Sequence, residues 1–247
     1  AAVDLLRKRG VATAAKKAQR EAREGAIAQC ILPGARVGVL LEVNCESDFV
    51  AKNEMFRAFC DQAVRALAEN PAADLETLRT DAVARIRENI KIARHQRFEV
   101  SGNGLVAAYI HTGAKVGVLV EVGAGNEATT TRDDFRQLVK DITLQIAAAS
   151  PAAVSREQVD PAIVAKEKEI VAASDLLKNK PPAALAKIIE GKLEKFFQTA
   201  CLLDQGFVKR NSEITVREHL ATVAKQLDDE ITIRRFVRFQ VGEAFAS

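Results

Sequence analysis

A ten-residue segment occurs twice in this chain. Gly34-Ala35-Arg36-Val37-Gly38-Val39-Leu40-Leu41-Glu42-Val43 returns as Gly113-Ala114-Lys115-Val116-Gly117-Val118-Leu119-Val120-Glu121-Val122, with eight of ten positions identical at an offset of 79. Such a repeat constrains the fold more than composition does, because both copies must bury the same face in the same way. The offset continues on both sides. Upstream, Gly25, Ala28 and Ile31 meet Gly104, Ala107 and Ile110. Downstream, Phe56, Phe59, Cys60, Ala63 and Leu67 meet Phe135, Leu138, Val139, Ile142 and Ile146. Each downstream set has the i, i+3, i+4, i+7, i+11 spacing of a helix with one apolar face.

Each copy therefore predicts a strand (27–32; 106–111), a turn, a strand (36–43; 115–122), a loop and a helix (53–68; 132–149). The strands are rich in Val, Ile and Leu. The turns at Pro33-Gly34 and Thr112-Gly113 suit hairpins. Two strands alone are marginal, so a third is expected in each sheet. Arg97-Phe98-Glu99-Val100 supplies it for the first copy, after a short connection, and Ile233 to Val241 for the second.

The second copy carries a long helical insertion before its third strand. Ile163, Val164, Ile170, Val171 and Leu177 line one helix. Lys180-Pro181-Pro182 breaks it, since proline removes a donor and restricts its predecessor. Leu185, Ile188, Ile189, Leu193, Phe196 and Phe197 line the next, which gives an αα-hairpin. A short helix from about Thr215 to Leu227 precedes the last strand. The expected class is α+β: two repeated antiparallel-sheet-plus-helix subdomains, a helical hairpin inserted in the second, and a partial helical N-terminal region. The expected divisions are 1–24, 25–102, 103–153 joined with 204–247, and 154–203 for the hairpin.

Composition narrows the function. With 48% hydrophobic and 28% charged residues over 247 positions, the chain can build a core. No apolar run is long enough to cross a bilayer, and no basic-then-apolar leader opens it. It opens at Ala1 rather than Met, as expected of a processed or truncated form. The net charge of +3 is too small for a nucleic-acid coat. One Tyr, no Trp and Phe placed in apolar-periodic stretches argue against stacking platforms for single-stranded nucleic acid. The first 25 residues are locally basic: Arg7, Lys8, Arg9, Lys16, Lys17, Arg20 and Arg23 face Asp4, Glu21 and Glu24. This stretch is either a solvated helix leading into the core or a docking surface for an acidic partner or RNA.

The four cysteines, Cys30, Cys45, Cys60 and Cys201, form no Cys-x-x-Cys pair and fit a reducing compartment. The first three map onto Tyr109, Ala124 and Val139, which marks them as small core residues. His95, His111 and His219 are isolated, and the glycine clusters match no phosphate-binding loop. No catalytic, cofactor-binding or metal-binding residue is assigned, and no nucleotide site of its own.

The copies differ after the second strand. The first reads Asn44-Cys45-Glu46-Ser47-Asp48-Phe49-Val50-Ala51-Lys52-Asn53, and the second Gly123-Ala124-Gly125-Asn126-Glu127-Ala128-Thr129-Thr130-Thr131-Arg132. Phe49 faces Ala128 and Val50 faces Thr129, so the scaffold does not require a Phe or a Val there. Phe49-Val50 is thus a candidate exposed anchor for a partner pocket. The alternative is a hydrophobic staple on the following helix.

At these residues the sequence resembles the elongation factor Ts family. Asn44 to Asn53 is similar to the family's Asn-x-Glu-Thr-Asp-Phe-Val-Ala-Lys/Arg-Asn/Asp signature, with Ser47 in place of Thr. Supporting matches are Ala15-Lys16-Lys17-Ala18 with Arg20 and Glu24-Gly25, Glu88-Asn89-Ile90, and Glu190-Gly191-Lys192-Leu193 with Lys195-Phe196. The stretch Phe236 to Glu243 also fits. Ala1 to Gly10 resembles the third helix of the family's N-terminal domain. Gly206 stands where the family usually has Pro, and Gln145 where some members carry His.

The resemblance implies a guanine nucleotide exchange factor for elongation factor Tu, in its GDP-bound and nucleotide-free forms, in the bacterial cytosol. It implies that Ser47, Asp48, Phe49 and Val50 act near the nucleotide's magnesium, with Phe49 entering an apolar slot and Asp48 disturbing the magnesium environment. Gln145 and Val208 are implied as further partner contacts. The second sheet unit would grip another domain of the partner, and a homodimer within the complex is allowed for. Exchange needs no covalent chemistry, so no enzyme activity is expected. The rival class is an RNA- or ribosome-binding module that uses the basic N-terminal helix and the projecting hairpin.

Overall fold

The computed structural model describes residues 14–173 and 181–243. The expected helix over 1–10, and Leu177 and Lys180 in the hairpin, lie outside the described residues. A helical turn over 14–17 leads into β1 (Glu24–Ile31) and β2 (Val37–Cys45). Three helices follow: α1 (Asp48–Ala51), α2 (Glu54–Glu69) and α3 (Glu76–Ile86). β3 (Lys91–Glu99) closes the first unit. The second unit opens with β4 (Gly104–Ile110) and β5 (Val116–Ala124), then a 3₁₀ turn (Glu127–Thr131) and α4 (Asp133–Ala149). α5 (Pro161–Ala172) and α6 (Pro182–Ala200) form the inserted pair. α7 (Val216–Leu227) and β6 (Ile231–Gln240) complete the unit.

The fold is α+β, with two antiparallel three-stranded sheets ordered β1-β2-β3 and β4-β5-β6. β2 and β5 are central, and both of their faces are covered. That is why they read as apolar runs rather than as alternating strands. Side chains still alternate across the pleat. Val39, Leu41, Val43 and Cys45 point at α2, whereas Leu40 points at the other sheet. In β5, Val118, Val120, Val122 and Ala124 point at α4 and Leu119 crosses to the first sheet. Phe56 and Phe135 fill equivalent places under the sheets and are fully buried. Truncating either to Ala would cost about 4 kcal/mol.

The two units meet sheet to sheet, and the contacts are reciprocal. Ile27 N donates to Ala114 O at 2.7 Å, and Val106 N, its counterpart, donates to Ala35 O at 2.8 Å. Gly38 and Gly117 sit where the sheets approach closely. A Cβ on Gly38 would come within 2.6 Å of Val106 and 3.0 Å of Leu119; one on Gly117 would come within 2.5 Å of Ile27 and 3.0 Å of Leu40. Both copies need glycine here because each copy's central strand faces the other's.

Two expectations need correction. The first unit does not pass from α2 to β3 by a short connection: α3 lies between them and packs on α2, as α7 packs on α4. The repeat is therefore strand–strand–helix–helix–strand in both copies, and the insertion lies between α4 and α7. The third strand starts at Lys91, not Arg97, and ends at Glu99. The hairpin is pinned at its base: Ala152 N donates to Ala200 O at 2.8 Å, and Arg156 joins Glu194 at 2.6 Å and Asp204 at 2.7 Å while lying over the Phe197 ring.

Candidate functional site

β2 delivers the chain to a loop that is tied down before α1 begins. Cys45 Sγ donates to Ser47 O at 3.2 Å. Ser47 is the N-cap of α1; its Oγ accepts from Val50 N at 3.3 Å and donates to Glu88 Oε1 at 2.6 Å. A serine at this position satisfies a donor that the first helical turn cannot pair internally. The other Glu88 oxygen accepts from Glu46 N and Ser47 N, both at 3.0 Å. Asn89 N donates back to Glu46 Oε1 at 2.6 Å. Asn53 then caps α2 by accepting from Met55 N at 2.8 Å.

On this fixed turn Phe49 is 81% exposed. The staple alternative therefore fails for Phe49, whose ring does not pack on α2. Val50 behaves differently. It is half-buried and packs against the first core, so only one member of the Phe49-Val50 pair is presented to solvent. Asp48 pairs with Lys52 one turn on, at 2.8 Å. The hydrogen bond from Lys52 holds the Asp48 carboxyl below its ordinary value, so the turn carries an anion beside an exposed ring.

The same position in the second copy is built without a large apolar residue. Asp229 takes the part of Glu88: its Oδ2 accepts from Asn126 N at 3.0 Å and its Oδ1 from Asn126 Nδ2 at 3.1 Å. The turn that follows is 3₁₀, with Thr129 and Thr130 buried and Ala128 exposed in the place of Phe49.

The other two candidates lie together on the second unit. Gln145 on α4 is 2% exposed. Its Nε2 donates to Gln205 Oε1 at 3.2 Å and to Gly206 O at 3.1 Å, and its Oε1 accepts from Val208 N at 2.9 Å. So buried, its amide holds the 205–208 segment from beneath. Val208 is 48% exposed. It stands at the rim of a cavity of about 300 Å³ together with Tyr109, His111, Leu144 and Phe207. Lys209 ties the segment to Asp141 at 2.6 Å, and Phe207 stacks on His219 with ring centroids 4.2 Å apart. Burial keeps His219 below the ordinary imidazole value. Gly206 is thus held in a braced segment, with a bridge to Thr215 as well.

The cysteines do not form a reactive group. Burial, with the Glu88 carboxylate adding to it, pushes the Cys45 thiol up to about 12, and burial raises Cys60 further. Neither supplies a thiolate near neutral pH. Cys201 is buried, and Cys30 is half-buried against the first core. Among the described residues no group of three or more His, Cys, Asp or Glu could hold a metal ion, and no helix is long and apolar enough to cross a membrane. Of the basic N-terminal residues, Lys17 donates to Arg87 O, Arg20 pairs with Glu46 at 3.6 Å and Arg23 with Glu21 at 2.6 Å.

Sequence reasoning missed two pairs of acids. Glu42 and Glu121 are buried inside the central strands. Glu42 meets Arg94 at 2.8 Å; Glu121 meets Arg234 at 2.9 Å and Arg235 at 2.7 Å. Arg94 lies over Phe239 and Arg235 over Phe98, each crossing to the other unit. A glutamate at the same register in both copies of an apolar strand was the available signal. For Glu88 and Asp229 the repeat gave none, because the insertion destroys the offset between them; Glu88 stood out only within the Glu88-Asn89-Ile90 match.

A family model described as Elongation factor TS matches residues 46–243. The chain is 41% identical over 249 residues to elongation factor Ts of Symbiobacterium thermophilum, covering 98% of this chain and 82% of that protein. It is 38% identical over 248 residues to that of Nitratidesulfovibrio vulgaris strain DP4, covering 100% and 86%. With that of Trichlorobacter lovleyi it shares 40% identity over 258 residues, covering 98% and 82%.

Proposed function

The chain belongs to the elongation factor Ts family, which is a family of translation elongation factors, and on that premise we propose that it promotes GDP release from elongation factor Tu. The observation that carries this function is Phe49, a large apolar side chain 81% exposed on a turn that is otherwise tied down on every side. Exposed single apolar residues are common on protein surfaces. Here the ring is presented by a capped and clamped turn, at a place where the second copy has only Ala, inside the matched segment.

In the proposed mechanism Phe49 enters an apolar slot near the nucleotide's magnesium and phosphates. Asp48, ionised at neutral pH, disturbs the magnesium environment beside it. Ser47 caps the turn, and Val50 roots it in the first core. Val208 makes a second contact, held in place by Gln145. No covalent step is involved. Factor and GDP each weaken the other's binding to the partner by the same factor. That coupling requires contacts made differently in the GDP-bound and nucleotide-free partner. A rigidly held ring supplies such a difference more effectively than a mobile one, since less ordering entropy opposes its insertion.

The proposed division of labour follows the units: residues 25–102 displace nucleotide, 103–153 with 204–247 grip the partner, and 154–203 modulate binding. The bacterial cytosol is the proposed compartment. The test is direct. Adding the chain to elongation factor Tu loaded with a fluorescent GDP analogue should speed analogue release in a saturable way. A release rate independent of the added chain would overturn the proposal.

A further inference from the structure

Glu88 is half-buried, and its carboxylate makes three hydrogen bonds to the loop that starts the Phe49 turn. It follows α3 directly. Arg87 ends that helix in the left-handed conformation, with φ 65°, and donates its N–H to Val83 O. This reversal throws Glu88 back toward a loop 41 residues upstream. Its carboxylate then accepts from Glu46 N, Ser47 N and Ser47 Oγ, at 3.0, 3.0 and 2.6 Å. Hydrogen bonds to an ionised acceptor are the stronger class. The Ser47 hydroxyl that Glu88 orients is the one that accepts from Val50 N and so starts α1.

We propose that Glu88 is the positioning residue of the exchange site: it sets the direction in which α1 presents Phe49, and it touches neither partner nor nucleotide. This inference rests on the exchange function proposed above. The duplication supplies an internal control. Asp229 makes the same kind of clamp in the second unit, on Asn126 N, Asn126 Nδ2 and Glu230 N, but the turn it holds presents Ala128. A clamp that serves only the fold would matter equally in both units. A clamp that positions Phe49 matters for exchange in the first alone.

A second variant separates geometry from charge. In Glu88→Gln the amide oxygen can accept from both backbone N–H groups while the NH₂ donates to Ser47 Oγ, which still accepts from Val50 N. That variant keeps the geometry with weaker bonds; Glu88→Ala removes it.

The experiment measures the plateau and half-saturation of GDP release from elongation factor Tu, with melting followed alongside. Glu88→Ala is expected to lower the plateau about tenfold, the scale of a small misplacement of a reacting group. Glu88→Gln should stay within about twofold of the parent, as should Asp229→Ala. In a Phe49→Ala background, Glu88→Ala should add less than about twofold, because contacting or coupled residues are not additive. An equal loss from Asp229→Ala, or full additivity with Phe49→Ala, overturns the proposal. Backbone hydrogen exchange over residues 46–50 of the free chain gives a readout that needs no partner. Faster exchange at Val50 in Glu88→Ala is expected, and unchanged protection there overturns the clamp. If the parent chain fails to speed GDP release, the exchange function falls, while the Val50 measurement still decides whether Glu88 fixes the turn.

Discussion

The two halves of this molecule were built from one plan, and the places where they agree and differ divide scaffold from site. They agree in the sheet-to-sheet glycines, in the buried glutamate of each central strand, in the helix pair over each sheet, and in the acidic clamp on the loop after β2 or β5. They differ in the turn that the clamp holds. The first unit has a capped helical turn with Phe49 outside and Val50 inside; the second has a 3₁₀ turn with Ala128 outside and Thr129 inside. A scaffold that accepts Ala at this position has no structural use for Phe. The difference supports the proposal that Phe49 serves something outside the chain.

The largest expected effect tests the agreement. Glu42→Ala removes the buried carboxylate that Arg94, Asn44 Nδ2 and Gly242 N share, and should cost about 3 kcal/mol of stability, as expected for a broken buried pair. Glu121→Ala should cost less, because its partners Arg234 and Arg235 are more exposed and can turn to water. Urea melts of both variants check this; equal losses would break the account of why the pairs differ.

A smaller effect is expected at the sheet interface. Gly38→Val and Gly117→Val should each cost about 2 kcal/mol, the scale of overpacking a filled core. The two losses should match, since each glycine faces the other copy's Leu. A marked inequality would show that the interface is less symmetric than its hydrogen bonds.

Smaller again are the cysteines. Cys45→Ala and Cys60→Ala copy or approach the second unit's Ala124 and Val139, and should cost about 1 kcal/mol each with exchange per folded molecule unchanged. Stoichiometric zinc in the purified chain, or exchange lost without a change in melting, would contradict their reading as core residues.

The smallest effect is expected from the insertion, the one element the first unit lacks. Replacing residues 161–195 by a short Gly/Ser linker leaves the base cluster of Val159, Phe196, Phe197 and Cys201 to close the cut. Exchange at saturation should fall by less than about twofold, because a linker of this kind leaves the distant turn unstrained. A collapsed plateau with both sheets intact by circular dichroism would make the hairpin part of the mechanism.

Much of this was legible in the sequence, for physical reasons that can be named. β1, β2, β4, β5, α2 and α4 were read to within three residues because they repeat and because apolar periodicity is strong where one face is fully buried. α3 was not read. Its residues Thr80, Asp81, Ala82 and Arg85 dilute the apolar stripe, and only Thr80, Ala82 and Val83 are buried. The start of β3 was missed because Lys91 to Gln96 lie on an edge strand, where exposure weakens alternation. Phe49 and Val50 were singled out together by comparing copies, whereas their separation needed coordinates: a loop sequence does not say which of two neighbours turns inward. Glu88 was noted only within the resemblance, and its role was not read because its bonds span 41 residues and the second copy's equivalent lies beyond an insertion.

The central claim is that the copies share a scaffold and that one side chain makes the first of them the exchange site. The most direct test compares Phe49→Ala with Ala128→Phe in release of a fluorescent GDP analogue from elongation factor Tu, at matched folded concentration. The account predicts that Phe49→Ala lowers exchange about thirtyfold, the scale of losing a buried interface anchor of about 2 kcal/mol, with melting unchanged. It predicts that Ala128→Phe leaves exchange as in the parent, and that adding it to Phe49→Ala restores nothing. Full exchange by Phe49→Ala, or a drop in its melting of the size expected for a core phenylalanine, would contradict the account.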